Sequence, residues 1–392
     1  MKNVDIIIIP FHDWRKSEHE GFRTRDVHFI QALSKSEHVG NILVVNRPLT
    51  WLELLYKKHK LKLEGKEIIN TKKFSLTKVQ DNIYVADYKS RDVIGQFFKK
   101  YLWFIKKYSD PKYADFISHC SEKIELKSPY LINQNIFAHK LAVNVKAQNK
   151  LFDAWDNFLK FPLYQSFVSE LESGYKDLAE NIPNWITNSN ENVAFYTQRF
   201  NVKNIQLIKN GVKSNFASGE FILPKDIENI PRPIIGFGGK LSYLIDWELV
   251  NYITLKNPEA SFVFVGQILD QKVYNQIVKR ENVYFLGDKK YDSYPNYVKS
   301  FDTCIVPYNI KEGQHGGDSM KAYEYLLLNK KVVGTNGNGL EDLEEYLYIA
   351  KTKEDFAQEV GSMVNTKKKL LVKDYSWETK AKQILGILGV NE

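Results

Sequence analysis

Apolar residues along the chain fall into short unbroken runs, separated by segments in which they recur at helical spacing. The first run spans 4–9 and ends at Pro10. Its length and continuity mark a strand buried on both faces, too short for a signal peptide or a membrane span. A polar loop, 11–24, follows. Val27, Phe29, Ile30 and Leu33 then lie on one helical face, and 42–45 is a second buried strand. This strand–loop–helix–strand order predicts a parallel sheet. Further strands are expected at 130–133, 150–153, 185–188 and 205–208. Between 51 and 130, basic and aromatic residues alternate, as in Lys99-Lys100-Tyr101-Leu102-Trp103-Phe104-Ile105-Lys106-Lys107. On a helix this gives a basic face and an apolar face. It suits a core helix whose lysines snorkel, the favoured reading, or a helix lying on a membrane surface.

Periodicity is lost over 214–233, where Pro224, Pro231 and Pro233 fall, and this stretch reads as a linker. A second alternating series starts at Ile234. Strands are expected at 234–237, 261–265, 283–286, 303–306 and 331–334, with helices from about Asp246 and over 321–328. The strands end in glycine- or proline-containing turns: Gly238-Gly239, Gly266, Gly287 and Pro307. The predicted class is α/β, with two doubly wound, Rossmann-like domains over 1–213 and 234–375. A last helix, 376–392, has no strand after it and is expected to cross back to the first domain. Ligands of such domains bind at the carboxyl ends of the strands.

Composition narrows the function. Of the 392 residues, 43% are hydrophobic and 14% aromatic, which excludes a disordered chain. The two cysteines, Cys120 and Cys304, sit in apolar segments with no Cys-x-x-Cys spacing, which argues against disulfide frameworks and cysteine-zinc sites and fits a cytoplasmic setting. The net charge of +8 is uneven: residues 1–215 hold 33 Lys and Arg against 23 Asp and Glu, while 216–392 hold 22 against 24. A basic first half points to an anionic partner such as phospholipid headgroups, and hence to peripheral contact at the inner face of the membrane. No nucleic-acid recognition motif accompanies it.

Two glycine-rich loops carry the candidate chemistry. In Gly236-Phe237-Gly238-Gly239-Lys240-Leu241-Ser242, glycines after a strand let the backbone approach an anion, and Lys240 adds charge. The loop has neither Walker A nor G-x-G-x-x-G spacing. The second, from Gly313 to Tyr325, leads into a helix. There Ser319 is placed to cap, and Lys321 sits in the first turn, where a cation opposes the helix dipole unless an anion is bound. Glu324, three residues on, can accept hydrogen bonds from two vicinal hydroxyls, as on a ribose. Diphosphate at the loop and sugar at Glu324 together describe a sugar nucleotide.

These residues resemble a known family. Lys321-Ala322-Tyr323-Glu324-Tyr325-Leu326-Leu327-Leu328-Asn329-Lys330-Lys331-Val332-Val333 is similar to the K-x-x-E-Y-L-A-x-G-K-P-V-V signature of GT-B glycosyltransferases, in the family 4-like group of bacterial teichuronic-acid and polysaccharide transferases. Phe301 to Tyr308 resembles its D-x-x-x-x-P-[FY] strand, Val283 to Gly287 its N-V-x-F-L-G strand, and Ile208 to Val212 its I-x-N-G-V element. The family's Glu-x7-Glu would place a first carboxylate at Gly316. Backbone N–H groups at 316–318, Asp318 and His315 are the candidates for its role.

The resemblance implies two domains facing a cleft, with the second binding a nucleotide diphosphate sugar, UDP- or GDP-linked, as co-substrate. It places donor contacts at Gly238, Gly239, Lys240, Ser242, Gly266, Gly287, His315, Gly316, Gly317, Asp318, Ser319, Met320, Lys321 and Glu324. It places a glycan or lipid-linked acceptor at the loop carrying His12, Asp13, Gly21, Arg23 and Arg25, where the two arginines could hold an acceptor phosphate. Leu151 to Asn157 resembles a Y-D-x-x-D segment, so Asp156 is expected to act on the reacting hydroxyl, with Asp153 binding acceptor or capping a helix. Asp156, Glu324, Lys321 and Lys240 are the catalytic candidates. Retention of anomeric configuration is implied, no cofactor or metal ligand set is expected, and the product would enter surface polysaccharide or glycoconjugate. A sugar-nucleotide 2-epimerase and a catalytically silent partner subunit of the same fold are the alternatives.

Overall fold

A computed structural model describes residues 3–56, 62–310, 317–362 and 364–390. The chain divides into two units, Met1–Lys209 with Glu378–Glu392, and Asn210–Trp377.

In the first unit, ten strands form one sheet among the described residues: β1 (Val4–Ile9), β2 (Val39–Val45), β3 (Leu49–Thr50), β4 (Lys66–Asn70), β5 (Phe74–Gln80), β6 (Ile83–Ser90), β7 (Tyr130–Asn133), β8 (Lys150–Asp153), β9 (Asn184–Thr187) and β10 (Ile205–Leu207). The order is β10-β9-β8-β7-β1-β2-β6-β5-β4, with β3 pairing β6. β1 runs parallel to both neighbours, Ile6 lying opposite Ile42 on β2 and Tyr130 on β7. The connection reverses direction there, so β1 and β7 flank the switch point where an open α/β sheet offers its binding crevice. β4 and β5 are antiparallel and were not legible as strands, because neither carries an unbroken apolar run and β4, at the sheet edge, is largely exposed.

Residues 11–24 are not a plain loop. Asp13 caps a short helix, α1 (Trp14–His19), whose Trp14 is buried. Helix α2 (Arg25–Ser34) follows. Among the described residues, four helices come from the stretch that mixes lysines and aromatics: α3 (Trp51–Tyr56), α4 (Val93–Lys99), α5 (Tyr101–Tyr108) and α6 (Pro111–Lys123). Lys100, at φ 46°, breaks the amphipathic segment in two. Trp103 and Tyr108 are buried, and Tyr101, Phe104 and Ile105 pack against the core. That part of the segment is therefore core helix, its lysines reaching outward. From Glu378 onward the final helix, Trp377–Leu388, groups with the first unit, where the Asn149 amide donates to the Leu388 carbonyl at 3.1 Å.

The second unit is a parallel sheet of β11 (Ile234–Gly238), β12 (Ser261–Val265), β13 (Val283–Gly287), β14 (Thr303–Val306), β15 (Lys331–Thr335) and β16 (Tyr348–Ala350), ordered β13-β12-β11-β14-β15-β16. Its switch point lies between β11 and β14. Residues 214–233 are irregular but not a free linker: Phe216 and Ile227 are buried in this unit's core.

Candidate functional site

In the second unit, the loops ending β11, β12 and β13 are stitched together. The Gly239 amide donates to the Val265 carbonyl at 2.8 Å, and the Gly266 amide to that of Gly287 at 2.9 Å. Gly266 has φ +154°, and a Cβ there would lie 1.8 Å from the Gly239 oxygen, so only glycine fits. Gly238 is demanded from inside instead, since a Cβ would strike the Tyr294 hydroxyl at 1.9 Å. Its amide donates to the Tyr325 hydroxyl at 2.7 Å. Gly287, at φ +72°, has open space where a Cβ would stand.

The helix Met320–Leu327 brings the second motif to this loop. Gly239 has φ +141°, and a Cβ would come 2.9 Å from Lys321 Cε. The Lys321 ammonium donates to the Tyr308 hydroxyl and lies over the rings of Phe237 and Tyr308, at 5.3 and 4.8 Å. Ser319 occupies the cap position but makes no capping bond, contrary to expectation. Its hydroxyl is buried with no partner among the described residues. A buried hydroxyl left unpaired costs about 1–3 kcal/mol, which a ligand oxygen at the helix start would relieve.

Glu324 is buried and accepts a 2.6 Å hydrogen bond from the Tyr291 hydroxyl. Burial pushes its carboxyl up to about 7, against the opposing pull of that bond and of Lys321 and Lys213. Near neutrality it is therefore divided between the two protonation states, and ribose hydroxyls would compete with Tyr291 for it.

Other predicted donor residues have structural partners. Asp318 accepts from the Asn210 amide at 2.6 Å and the Tyr323 hydroxyl at 2.8 Å, so its carboxylate ties the helix start to the 210–212 turn rather than standing open for a sugar. Ser242 is buried in a turn and accepts from the Leu244 amide at 3.3 Å. Lys240 is exposed. Gly317 and Met320 flank Asp318 and Ser319, while His315 and Gly316 lie outside the described residues. The parts played by Tyr291, Tyr325 and Asn210 escaped the sequence reading. Asn210 and Tyr325 entered it only as members of motifs, and Tyr291 gave no signal.

In the first unit, a cavity of about 210 Å³ lies at the ends of β1, β2 and β7. Phe11, Tyr101, Phe104, Phe137 and Tyr164 make an aromatic wall, and His12, Asp13, Lys16, Arg47, Glu53 and Asn135 supply polar groups. His12 Nδ1 lies 3.0 Å from Asp26, whose carboxylate also accepts the His12 amide at 2.8 Å. Burial alone would raise Asp26. The imidazole and the bonds from His12 and Thr24 outweigh it and hold the carboxyl far below the usual range.

The arginines depart from expectation. Arg25 forms a buried ion pair with Asp153 at 3.1 Å, and Arg23 pairs with Glu20 at 3.1 Å, so neither stands ready as a phosphate clamp. Asp153 caps no helix. It ends β8 and also accepts from Gln134 at 3.1 Å. Asp13 accepts from Asn46 at 3.0 Å, while Gly21, at φ +80°, turns the chain out of α1. Asp156 is partly exposed as a residue, yet its carboxyl is pushed up to about 8 by burial and Asp153, against Arg25. Arg25, Asp153 and Asp156 thus form one group.

No protein-family model matches the chain. Among curated proteins, TuaH of Bacillus subtilis (strain 168), put forward as a teichuronic acid biosynthesis glycosyltransferase, is 20% identical over 204 residues. That match covers 48% of this chain and 51% of TuaH, so the chain spans about half the length of that relative. Likeness to solved structures runs end to end. HepE of Anabaena, in complex with UDP and glucose, is similar at TM-score 0.61 and 13% identity, covering 98% of this chain and 99% of that one. Sucrose-phosphate synthase of Thermosynechococcus elongatus gives 0.64 and 14%, covering 98% of each. The fold is GT-B. A GT-B α,α-trehalose 6-phosphate synthase of Burkholderia multivorans gives 0.62 at 11%, covering 100% and 96%. At such identities these structures establish architecture, and residue roles rest on this chain's own geometry.

Proposed function

We propose that the protein is a glycosyltransferase that moves a sugar from a UDP- or GDP-linked donor to a glycan or lipid-linked acceptor. The second unit would hold the donor and the first would present the acceptor. The observation that carries this reading is the convergence of Lys321, the Gly238-Gly239 loop and the Ser319 hydroxyl, unpaired among the described residues, at the β11/β14 switch point. Breaking the anomeric C–O bond develops negative charge on the departing diphosphate. Lys321 and the N–H groups at the helix start are arranged to meet that charge, an electrostatic stabilisation that asks for no metal in this scheme. Glu324 would fix the ribose. HepE, bound to UDP and glucose, favours uridine. The TuaH likeness favours surface polysaccharide or glycoconjugate synthesis, with retention of configuration and a place at the inner face of the membrane included in the reading.

Isothermal titration with UDP, GDP and their glucose and mannose conjugates tests it. One nucleotide should bind wild type, and Lys321→Ala should weaken it roughly 10–100-fold, the scale of a charge-assisted hydrogen bond. Binding of none of them, or undiminished binding by folded Lys321→Ala and Glu324→Ala, would sink the assignment.

A further inference from the structure

The two short helices beside the first-unit cavity turn apolar faces to solvent. On α3, Trp51, Leu52, Leu55 and Tyr56 are exposed, Tyr56 by 86%; on α4, Ile94, Phe97 and Phe98 are each about 75% exposed. The helices are neighbours: the Gln96 side-chain Nε2 of α4 donates to Glu53 of α3 at 2.7 Å, and the Thr50 hydroxyl donates to Gln96 Oε1 at 2.6 Å. Pairing one polar residue from each helix across the contact leaves the large side chains outside. Seven large apolar side chains on two adjoining helices are a patch, not scattered exposure.

Charge decides among occupants. Arg91, Lys99 and Lys100, at or next to the ends of α4, are exposed, as is Lys106 on the following helix α5. The acids nearby are engaged. Glu53 bonds Arg47 and Gln96, and Asp92 bonds the Gly95 amide, Trp103 and Lys107. Aromatic and aliphatic side chains accompanied by exposed cations fit the boundary between acyl chains and anionic headgroups. A second copy of this basic unit would bring like charge instead. Among the described residues no helix is long and apolar enough to cross a membrane, so contact through this face would be peripheral.

We propose that the outer faces of α3 and α4 dock the protein on an anionic phospholipid bilayer. The inner side of α3 gives Glu53 and Leu54 to the cavity wall, so the helix that would meet the headgroups also lines the candidate acceptor cavity. This deepens the membrane part of the proposed function and rests on it only for the meaning of the cavity.

The test is co-flotation of the full chain with vesicles of phosphatidylcholine alone and with about a third phosphatidylglycerol. Wild type should float with the anionic vesicles, at least tenfold less with neutral ones, and less as salt rises, since screening weakens exposed charges. Leu55→Asp/Phe97→Asp should lose vesicle binding at least tenfold with unchanged melting temperature and nucleotide affinity. Lys99→Glu/Lys100→Glu should lose the preference for anionic vesicles. Absence of wild-type flotation, equal flotation of the aspartate variant, or equal binding to neutral vesicles would overturn the proposal. So would a wild-type dimer, by analytical ultracentrifugation, that the aspartate variant abolishes, which would assign the face to a second copy. Nucleotide affinity is read in the same samples, so loss of the donor assignment would show there while flotation persisted.

Discussion

Lys321 lies across Gly239. The lysine comes from the first turn of a helix that follows β14, the glycine from the loop that follows β11, and a Cβ on the glycine would stand 2.9 Å from the lysine's Cε. Two glycine-rich segments some 80 residues apart in sequence thus meet, as the proposed diphosphate site requires, and the bare backbone at Gly239 is what lets the lysine come so close.

Gly239→Ala tests that closeness. The backbone there has φ +141°, where an L side chain is strained at a cost of about 1–3 kcal/mol, and the new methyl would displace Lys321. A melting temperature lowered accordingly, with nucleotide affinity reduced about tenfold, is expected. If calorimetry and titration show neither change, Lys321 does not use this approach.

Glu324 should make stability depend on pH. Its carboxyl titrates at about 7 in the fold against an ordinary 4.5, so the folded state keeps a proton that the unfolded chain releases. This contribution is therefore fully present below pH 4.5 and is lost as pH rises through 7. Glu324→Gln should remove that slope between pH 5 and 8 in urea denaturation. If ribose is held by the ionised carboxylate, wild-type nucleotide affinity should also climb from pH 6 to 8 and be flat in the variant. An unchanged stability slope in the variant would mean that Glu324 titrates normally.

Arg25 and Asp153 should behave as a structural pair. Both are buried, so removing one leaves the other charge uncompensated, at about 3–5 kcal/mol. Asp153→Ala should unfold at markedly lower urea, whereas Arg23→Ala, which breaks a partly exposed pair, should cost under about 1 kcal/mol. Equal losses would contradict the burial argument.

What the chain reveals in sequence follows from which interactions are local. Strands buried on both faces, such as Val4–Ile9 and Ser261–Val265, must be almost wholly apolar, with Asp5 and Ser261 the polar members, so they were legible almost to the residue. β4 and β5 were not, because the edge strand β4 is largely exposed and β5 interleaves polar residues, so neither carries a continuous apolar run. Lys321 and Glu324 were legible because a cation at a helix start and a carboxylate one turn on make a local pattern. The partner of Asp318 was not. Asn210 lies 108 residues away, and only the folded chain brings its amide to that carboxylate. Arg25 was misread for the same reason: a basic residue at a helix start is consistent with an anion site or an ion pair, and its partner is 128 residues on.

Asp156 closes the argument, because its protonation state decides what it can do. Burial and the neighbouring Asp153 push its carboxyl up to about 8 despite Arg25, so at pH 7 most molecules carry it neutral. Tyr175 and Tyr196 face the same residue, but through its backbone carbonyl, at 3.5 and 3.0 Å. A neutral carboxyl orients a substrate by donating a hydrogen bond and is a poor base. Asp156→Asn keeps the size and a donor, so at pH 7 it should retain transfer activity to within about tenfold, less than the 10²–10⁴-fold lost with a true base. Wild-type kcat should fall above pH 8 as the carboxyl ionises, and that limb should be missing in Asp156→Asn. Stability should follow the same group: the fold keeps the proton over the window from 3.8 to about 8, so the contribution present below pH 3.8 is lost as pH rises through 8, and Asp156→Asn should surpass wild type in alkaline urea titrations. A wild-type kcat that instead rises through pH 8, with Asp156→Asn inactive, would make Asp156 the base and reverse the assignment.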